Sequence, residues 1–379
     1  MTVTDWLRLV YAGDTIGGTH VARPAEAARW TALVDRSDPY FACAARDVDV
    51  VRGTAAADHG WVHRPGGPLG LPPLVAVTHS SLVRLPEFAA GLRDCARALL
   101  DAGADPDDGE SLYHSLGDIE CTRLLLAAGA TVTGTNAMYA VADHDDADVL
   151  RLLLEHGGDP NEPSPSWGAP LLFAIRRRCS TAFVRLLLDA GADPRAVTPE
   201  GVGAYRLALR FGHPEVAELL HGSGAVEPLD LRELVVAACA SGDAAAARRL
   251  LAAHPDVVAT LDETQRRLLP DLAAAGATDA FRLMVEAGWP IDTVGGDWQA
   301  TALNHAVFRG DAGLTRFLLE HGADPAVPHG FGDTVVGTLE WASRNGTEGP
   351  RDFDGCARAL LDHGVELPAD GRPRPQQGK

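Results

Sequence analysis

The sequence predicts an all-α fold built from repeated pairs of short helices. The first observation is internal repetition, because a leucine-rich run followed by a glycine stop recurs along the chain. From Gly129 onward these stops lie 28 to 42 residues apart when Pro255 is counted in the place of one glycine, and most of the intervals are 31 to 34 residues. The second observation is composition, since alanine and leucine dominate an apolar content of 46% and suit short packed helices. One such pair cannot bury its own apolar face, so the copies are expected to stack.

The clearest copy is Thr301–Pro325, with the sequence TALNHAVFRGDAGLTRFLLEHGADP. Its first helix carries a small apolar face and is expected to end at Gly310. Its second helix repeats apolar side chains at i, i+3 and i+4 from Leu314, the spacing of one helical face. Gly322 follows this helix, at the position where a left-handed backbone costs glycine least. The segment therefore predicts helix, turn, helix and glycine stop.

The remaining copies follow the same frame in chain order, with degenerate copies at the ends where a stack must cap its apolar face. The predicted pairs are Asp5–Tyr11 with Ala25–Val34, Pro39–His59, Leu74–His79 with the helix that ends at Leu100, Glu110–Gly129, Ala137–His156, Pro170–Ala190, Ala204–Leu220, Leu231–Ala253, Gln265–Ala287, Thr301–Pro325, and Val335–Ala342 with Cys356–Leu361. Insertions interrupt the frame at Ser80–Leu92 and Arg344–Phe353.

A period near 33 residues with one helix pair per period resembles the ankyrin repeat family. The family's T-P-L-H-x-A motif appears as TALNHA at Thr301–Ala306, APLLFA at Ala169–Ala174 and GAYRLA at Gly203–Ala208. The motif histidine is replaced in these copies by Asn304, Leu172 and Arg206. The resemblance implies a curved α-solenoid of about ten stacked helix pairs, plus an irregular N-terminal pair. It divides the chain into N-terminal capping helices at 1–38, the ankyrin repeat solenoid at 39–367 and a disordered tail at 368–379.

Charge and cysteine usage limit the partners and the compartment. The formal charge of −19 argues against nucleic acid or an anionic membrane as the partner. The six cysteines occur singly, as expected of small buried residues in a reducing cytoplasm. The N-terminal stretch lacks the basic region of a signal peptide, and we expect a cytoplasmic protein. The only lysine is Lys379, a bias that suggests a GC-rich bacterial genome.

Signatures of catalysis are absent from the sequence, which contains no P-loop, no G-x-S-x-G and no H-E-x-x-H. The acidic run Asp143–Asp146 has metal-ligand types, but its last two residues are also placed to cap a helix that begins near Ala147. His156, His321 and His363 each precede a glycine stop, where they can satisfy the last carbonyls of a helix. We therefore expect no enzyme activity, no catalytic residue, no metal and no cofactor.

The resemblance implies that the fingers, the β-turn loops that precede each pair, form a concave binding surface together with the first helices. Aromatic and arginine side chains are preferred at interface hot spots, although inter-repeat packing is an equal alternative for each aromatic residue. The candidate partner-binding residues are Trp167, Phe173, Arg176, Tyr205, Arg206, Arg210, Trp298, Asn304, Phe308 and Trp341.

These observations favour a non-catalytic interaction scaffold that binds an unknown protein partner on its concave finger and first-helix face. The alternative is a solenoid that binds a small molecule or has become catalytic, with a pocket near Trp167, Arg206 and Trp298. A third hypothesis is an inhibitor whose acidic surface mimics nucleic acid, which requires the negative charge to cluster on one face.

Overall fold

The computed structural model describes residues 3–16, 20–33, 37–67, 70–345 and 351–368. These residues are mainly helical, and the predicted all-α fold class is confirmed. The chain forms two compact units: unit 1 comprises Met1–Ser164 and Ala182–Ala192, and unit 2 comprises Pro165–Thr181 and Asp193–Lys379. Of the predicted disordered tail, residues 369–379 lie outside the described part of the chain, as does the middle of the predicted insertion at Arg344–Phe353, at 346–350.

Unit 1 contains helices that pair in sequence order. They are α1 (Val3–Val10), α2 (Gly13–Ile16), α3 (Pro24–Trp30), α4 (Pro39–Ala44), α5 (Val48–Ala57), α6 (Pro73–Thr78), α7 (Pro86–Asp101), α8 (Ser111–Ser115), α9 (Ile119–Ala127), α10 (Ala137–Ala140) and α11 (Ala147–Glu155). Short 3₁₀ turns occur at Thr31–Leu33, His59–His63, Ser81–Arg84 and Val141–Asp143.

Unit 2 begins with α12 (Pro170–Arg176), while all but the first residue of α13 (Thr181–Asp189) belongs to unit 1. The later helices of unit 2 are α14 (Ala204–Arg210), α15 (Pro214–Gly222), α16 (Leu231–Ala240), α17 (Ala244–Ala253), α18 (Glu263–Arg266), α19 (Leu268–Ala274), α20 (Thr278–Glu286), α21 (Ala302–Phe308), α22 (Ala312–Glu320), α23 (Val335–Asn345) and α24 (Phe353–Asp362). A 3₁₀ turn occupies Val258–Thr260.

The predicted pairing of first and second helices is present in both units. In unit 1, α4 packs on α5, α6 on α7 and α8 on α9, and in unit 2 the pairs include α14 with α15 and α21 with α22. The predicted insertion Ser80–Leu92 is largely helical, because α7 begins at Pro86 and extends the second helix of its pair at the N-terminal end. Proline suits this first helical position, where its missing N–H costs nothing.

Fingers precede several first helices. In unit 2, β1 (Val294–Gly295) and β2 (Ala300–Thr301) form an antiparallel hairpin in which Val294 pairs with Thr301 and Gly295 with Ala300. An isolated bridge between Val197 and Gly203 closes the finger ahead of α14. Each finger leads directly into a first helix. The residues of a finger and of its first helix therefore lie on the same side of the repeat.

The N-terminal pair packs onto the rest of unit 1. The Trp6 ring stacks on Phe41 of α4 with centroids 4.7 Å apart. Its indole Nε1 donates to the Ala27 carbonyl over 3.0 Å, and the Tyr11 hydroxyl donates to the carbonyl of Ala76 in α6. These contacts cover the apolar end of the unit, and the burial of Trp6 is complete.

Aspartates begin many of the helices. Asp146 accepts from the backbone N–H groups of Asp148 and Val149, both over 3.0 Å, which confirms that the acidic run caps α11. Side-chain caps of the same kind begin other helices at Asp38, Asp47, Asp118, Asp230, Asp243, Asp262, Asp311 and Asp352. A carboxylate at this position satisfies orphan donors and favours the helix dipole. Part of the acidity is therefore structural.

Histidine and glycine end the second helices as expected. His321 Nδ1 lies 2.7 Å from the Phe317 carbonyl one turn earlier, and Gly322 follows with φ of 87°. His156 and His363 make the same contact with the carbonyls of Leu152 and Ala359. The structural interpretation of these histidines is confirmed. The six cysteines are likewise buried as free thiols, and leucines such as Leu318 are fully buried.

Candidate functional site

Aromatic rings from fingers and first helices meet near the end of unit 2. Trp298, in the β1–β2 finger, lies with its ring centroid 4.8 Å from His305, 5.6 Å from Phe308 and 5.1 Å from His329. Phe308, at the end of α21, stacks on Trp341 of α23, with centroids 5.7 Å apart and an interplanar angle of 14°. Two consecutive helix pairs thus contribute to one group of rings.

A sixth ring extends this group into the solvent. Phe331 lies 5.9 Å from the His329 ring, and 80% of its surface is exposed. Phe308 is also exposed, whereas Trp298 and Trp341 are half-buried. We name this group the aromatic cluster, and its members are Trp298, His305, Phe308, His329, Phe331 and Trp341.

Hydrogen bonds between and within the fingers hold the aromatic cluster in place. The Gly330 N–H donates to the Trp298 carbonyl over 2.9 Å and so joins two consecutive fingers. Thr301 caps α21 because its Oγ1 accepts from the Asn304 N–H over 3.3 Å. The bond to the Trp298 carbonyl therefore connects its finger to the next finger, and the Thr301 cap connects the first finger to the start of α21. Both bonds hold the backbone that carries the rings.

His305 is the buried base of the aromatic cluster. Burial lowers the pKa of His305 to about 4, although its hydrogen bond with the Gly295 backbone and the charge of Asp297 act in the opposite direction. The imidazole is therefore neutral at neutral pH and packs edge-on against Trp298 at an interplanar angle of 74°. His305 supports the Trp298 ring and is not accessible to a partner.

A set of ion pairs lies beside the aromatic cluster on the fingers and first helices. Arg177, just after α12, donates from Nη2 to Asp297 Oδ2 over 2.9 Å, and the two residues are 120 positions apart. Arg176 reaches Glu200 of the next finger at 3.4 Å. Asp271 of α19 accepts from the Gly296 N–H over 2.7 Å. First helices and fingers from distant repeats of unit 2 therefore converge.

The carboxyl groups of this set have shifted pKa values. Burial raises the pKa of Asp271 above its ordinary value, although the Gly296 N–H and the charge of Arg176 act against this shift. Burial also acts to raise the pKa of Glu200, but the Thr198 hydroxyl, its own backbone and two arginines outweigh it, so that its net pKa is lowered. Glu200 is thus held ionised opposite Arg176.

Trp167 and Phe173 connect to these ion pairs through a cation–π contact. Their ring centroids are 4.8 Å apart, and the Arg177 guanidinium lies 4.7 Å above the Phe173 ring. Since Arg177 also pairs with Asp297, which directly precedes Trp298, a continuous series of contacts runs from Trp167 to the aromatic cluster. Six of the ten candidate residues, Trp167, Phe173, Arg176, Trp298, Phe308 and Trp341, lie along this series or directly beside it.

The other four candidates occupy different surroundings. Tyr205 and Arg206 are half-buried on α14, and the Arg206 guanidinium pairs with Glu227 over 2.6 Å. Arg210 is buried and forms two hydrogen bonds with the Glu233 carboxylate, with a third to the Thr264 hydroxyl over 2.9 Å. These arginines are all engaged in ion pairs within unit 2.

Three of the ten candidates are buried: Phe173, Arg210 and Asn304. The Asn304 Oδ1 accepts from the Thr338 hydroxyl of the next first helix over 2.8 Å. This bond takes the place of the inter-repeat hydrogen bonds that the resemblance associates with the motif histidine. Because their side chains pack inside the unit, these three residues stabilise the face and do not present atoms on it.

Two cavities in the described part of the chain are lined by residues outside the set of ten candidates. One open depression of about 500 Å³ is lined by Asp230, Arg232, His254 and neighbouring residues. A second, of about 10 Å³, is lined by Thr78, His114, Ser115 and others and holds at most one water molecule. Neither is lined by Trp167, Arg206 or Trp298, the residues of the alternative pocket hypothesis.

Sequence patterns did not point to His329, Phe331 or Asp297. His329 and Phe331 fall in PHGFGD, which reads as a turn-rich finger, and the signal available was an aromatic residue inside such a finger. Nor did sequence patterns point to a group in unit 1, His79, Glu110 and His114, whose ligand atoms lie within 4.8 Å of one another. The sequence feature that could have indicated this group is a histidine near the end of each of two successive first helices.

Paired first and second helices recur in both units, and fingers precede several of the pairs, which defines the class as a helical repeat protein. Residues 137–230 match the family model for ankyrin repeats, in three copies. The chain therefore contains ankyrin repeats over this segment, which is about a quarter of its length. A search of curated proteins finds no match. No helix in the described residues is long and apolar enough to cross a bilayer.

Proposed function

We propose that this protein is a non-catalytic scaffold that binds a partner protein on the finger and first-helix face of unit 2. Ankyrin repeats are in general protein–protein interaction modules, and repeat proteins bind partners on extended concave surfaces. The observation that carries the proposal is the aromatic cluster, whose rings line two consecutive repeats and end in the exposed Phe331.

The exposure of the aromatic cluster favours a binding role over a packing role. Full burial of a Phe side chain gains about 1.5–3 kcal/mol, and Phe331, which is 80% exposed, leaves most of this gain unused in the folded protein. Exposed apolar groups rimmed by polar residues mark interaction sites. The half-buried rings of Trp298 and Trp341 provide a rigid floor, as hot-spot residues do when they bind with little loss of side-chain entropy.

The ion pair between Arg177 and Asp297 supports a concave shape for this face. We infer that both lie on the inner side of a curve, because their side chains bridge a first helix and a finger that are 120 positions apart. Trp167, Arg176, Tyr205 and Arg206 lie on the same first helices and fingers. We assign them to the flanks of the face, where charged groups set orientation and association rate more than affinity.

The partner is expected to present an apolar side chain to the aromatic cluster. The protein's formal charge of −19 favours a partner with an excess of basic groups, because opposite charges accelerate encounter. The same charge disfavours nucleic acid and anionic membranes. We place the interaction in a reducing compartment, the cytoplasm, since all six cysteines are buried free thiols.

The test compares capture of proteins from the source organism by the wild type and by two matched variants. Phe331→Ala removes the exposed ring of the face, and Leu361→Ala removes an apolar side chain of α24 that is 54% exposed. Neither side chain supports the core. Proteins recovered by the wild type and by Leu361→Ala, but lost with Phe331→Ala, are partners of this face.

Affinity measured with the purified partner completes the test. We expect Phe331→Ala to weaken binding at least tenfold, which corresponds to about 1.4 kcal/mol. A partner that binds the Phe331→Ala variant and the wild type equally, with Trp298→Ala also neutral, would place the interaction elsewhere on the protein and refute the proposed face.

A further inference from the structure

We propose that His79, Glu110 and His114 of unit 1 form a binding site for a divalent transition-metal ion, and that Zn²⁺ is the ion the site fits best. The three residues come from two successive helix pairs. His79 directly follows α6, Glu110 directly precedes α8, and His114 lies within α8. Their ligand atoms lie within 4.8 Å of one another. The site is separate from the face proposed for protein binding, which belongs to unit 2.

The distances match those of a tetrahedral ion. Glu110 Oε2 lies 3.7 Å from His79 Nε2 and 3.5 Å from His114 Nε2. An ion bonded at about 2.1 Å to each of two ligands at the tetrahedral angle holds those ligands about 3.4 Å apart. Two imidazoles and one carboxylate are also a donor set that zinc uses when it keeps its fourth position for water. The set contains no thiolate, so softer ions are not favoured.

His79 is oriented for this role. Its Nδ1 lies 3.3 Å from the Thr78 hydroxyl, and the ring hydrogen-bonds the backbone of Val75 one turn earlier, which leaves Nε2 facing Glu110. Metal-ligating histidines usually hold their second nitrogen in this way. The side chain is only 4% exposed.

Glu110 is held by its backbone and reached from solvent through its side chain. Its N–H donates to Asp108 Oδ1 over 2.9 Å, and the same oxygen accepts from the Ser111 N–H over 2.7 Å. These bonds fix the start of α8 and hence the position of the Glu110 carboxylate relative to His114. Because the Glu110 side chain is 60% exposed, an ion can enter from that side.

Metal binding changes one feature of the site, the stacking of its two rings. The His79 and His114 centroids are 3.5 Å apart with an interplanar angle of 31°. Two imidazoles that share a tetrahedral ion have centroids about 5 Å apart. The His114 side chain is 25% exposed, which gives that ring room to rotate toward solvent. Opening of the ring stack is therefore a specific consequence of the proposal.

The competing explanation is a stacked pair of neutral rings that packs two repeats together, with Glu110 as a solvated neighbour. The experiment separates the two explanations on the full-length protein. It measures Zn²⁺ binding by calorimetry and by metal analysis after dialysis, for the wild type, Glu110→Gln, His114→Ala and a control, His144→Ala. His144 is an exposed histidine of the same unit, and Glu110 is exposed enough for its variant to fold.

We expect one Zn²⁺ ion per chain in the wild type and in His144→Ala. Affinity should fall by about tenfold or more in Glu110→Gln and further in His114→Ala, because loss of even an outer-shell partner costs about 10–100-fold. Zn²⁺ should also raise the melting temperature of the wild type and of His144→Ala but not of His114→Ala.

Equal Zn²⁺ affinity in the wild type and in folded Glu110→Gln and His114→Ala would overturn the proposal, as would a wild type that retains no ion. A crystal structure grown with Zn²⁺ gives a second criterion. Rings that stay stacked, with an ion bound elsewhere, would show that the cluster is packing only, whereas an ion between separated rings supports the site.

Discussion

Arg177 and Asp297 are 120 residues apart in the chain and form a 2.9 Å ion pair within unit 2. Arg177 follows the first helix α12, and Asp297 lies at the tip of the β1–β2 finger ahead of α21. Between these two points the chain forms α14 to α20. Through the Arg177 contact with the Phe173 ring, the ion pair connects the Trp167–Phe173 pair to Asp297, the residue before Trp298.

The Arg177–Asp297 pair should contribute little stability of its own. Both side chains are partly exposed, and double-mutant cycles on such pairs give about 0.2–1 kcal/mol. We predict a coupling in that range from urea unfolding of Arg177→Ala, Asp297→Ala and the double variant. Arg151 and Asp148, an exposed pair within α11, provide the control cycle. A coupling well above 1 kcal/mol would mean that the contact helps determine the curvature of unit 2.

The Arg210–Glu233 pair should behave differently, because it is buried. Glu233 accepts two hydrogen bonds from Arg210 and one from Gln265 Nε2 over 2.8 Å. Removal of one partner leaves an uncompensated buried charge, which costs about 3–5 kcal/mol. We predict a loss of this size for Glu233→Leu in urea unfolding and substantial recovery in Arg210→Met/Glu233→Leu. A double variant no more stable than Glu233→Leu would contradict this account.

Local patterns were sufficient to predict the helix pairs. Asp146 begins α11 and Gly322 follows α22 because capping depends only on residues within one turn. The leucine period then identifies the buried face of each second helix. The helix ends, the helix pairing and the all-α class can therefore be predicted from residues close together in the sequence. The same holds for the role of the histidines that precede the glycine stops.

The contacts between repeats could not be predicted from local signals of this kind. Arg177 meets Asp297 across 120 positions of the chain, and no spacing in the sequence indicates that contact. Arg210 was expected on a surface, yet it is buried and donates to Glu233 and Thr264 from the next two pairs. Three of the six residues of the aromatic cluster, Trp298, Phe308 and Trp341, were predicted from the sequence because they are aromatic. Phe331 was not predicted, because it lies in a turn-rich finger.

Substitution of Leu318 tests whether the repeated buried leucines contribute strongly to the free energy of unfolding. Its side chain is fully buried, so Leu318→Ala should lower the free energy of unfolding by about 2–5 kcal/mol through lost transfer energy and an unfilled cavity. Leu361→Ala, on the exposed side of α24, is the matched control and should change stability by less than about 0.5 kcal/mol. Equal effects of the two substitutions would contradict the predicted core.

His305 should make the protein sensitive to mild acid. Its pKa is about 4 in the folded protein against about 6.5 for an ordinary histidine, so the unfolded chain takes up a proton first as the pH falls. The free energy of unfolding should therefore decrease between about pH 6.5 and pH 4, by an amount on the order of 3 kcal/mol from this residue. Below pH 4 both states are protonated and the His305 contribution is constant.

Urea unfolding between pH 7 and pH 4 measures this dependence. His305→Leu removes the titrating group, and we predict a shallower decrease of stability with falling pH than in the wild type. His144→Leu replaces an exposed histidine and should keep the wild-type slope. Since His79 also has a lowered pKa, part of the acid sensitivity must remain in His305→Leu. If His305→Leu and the wild type lose stability in parallel over this range, His305 is not buried as a neutral base beneath Trp298.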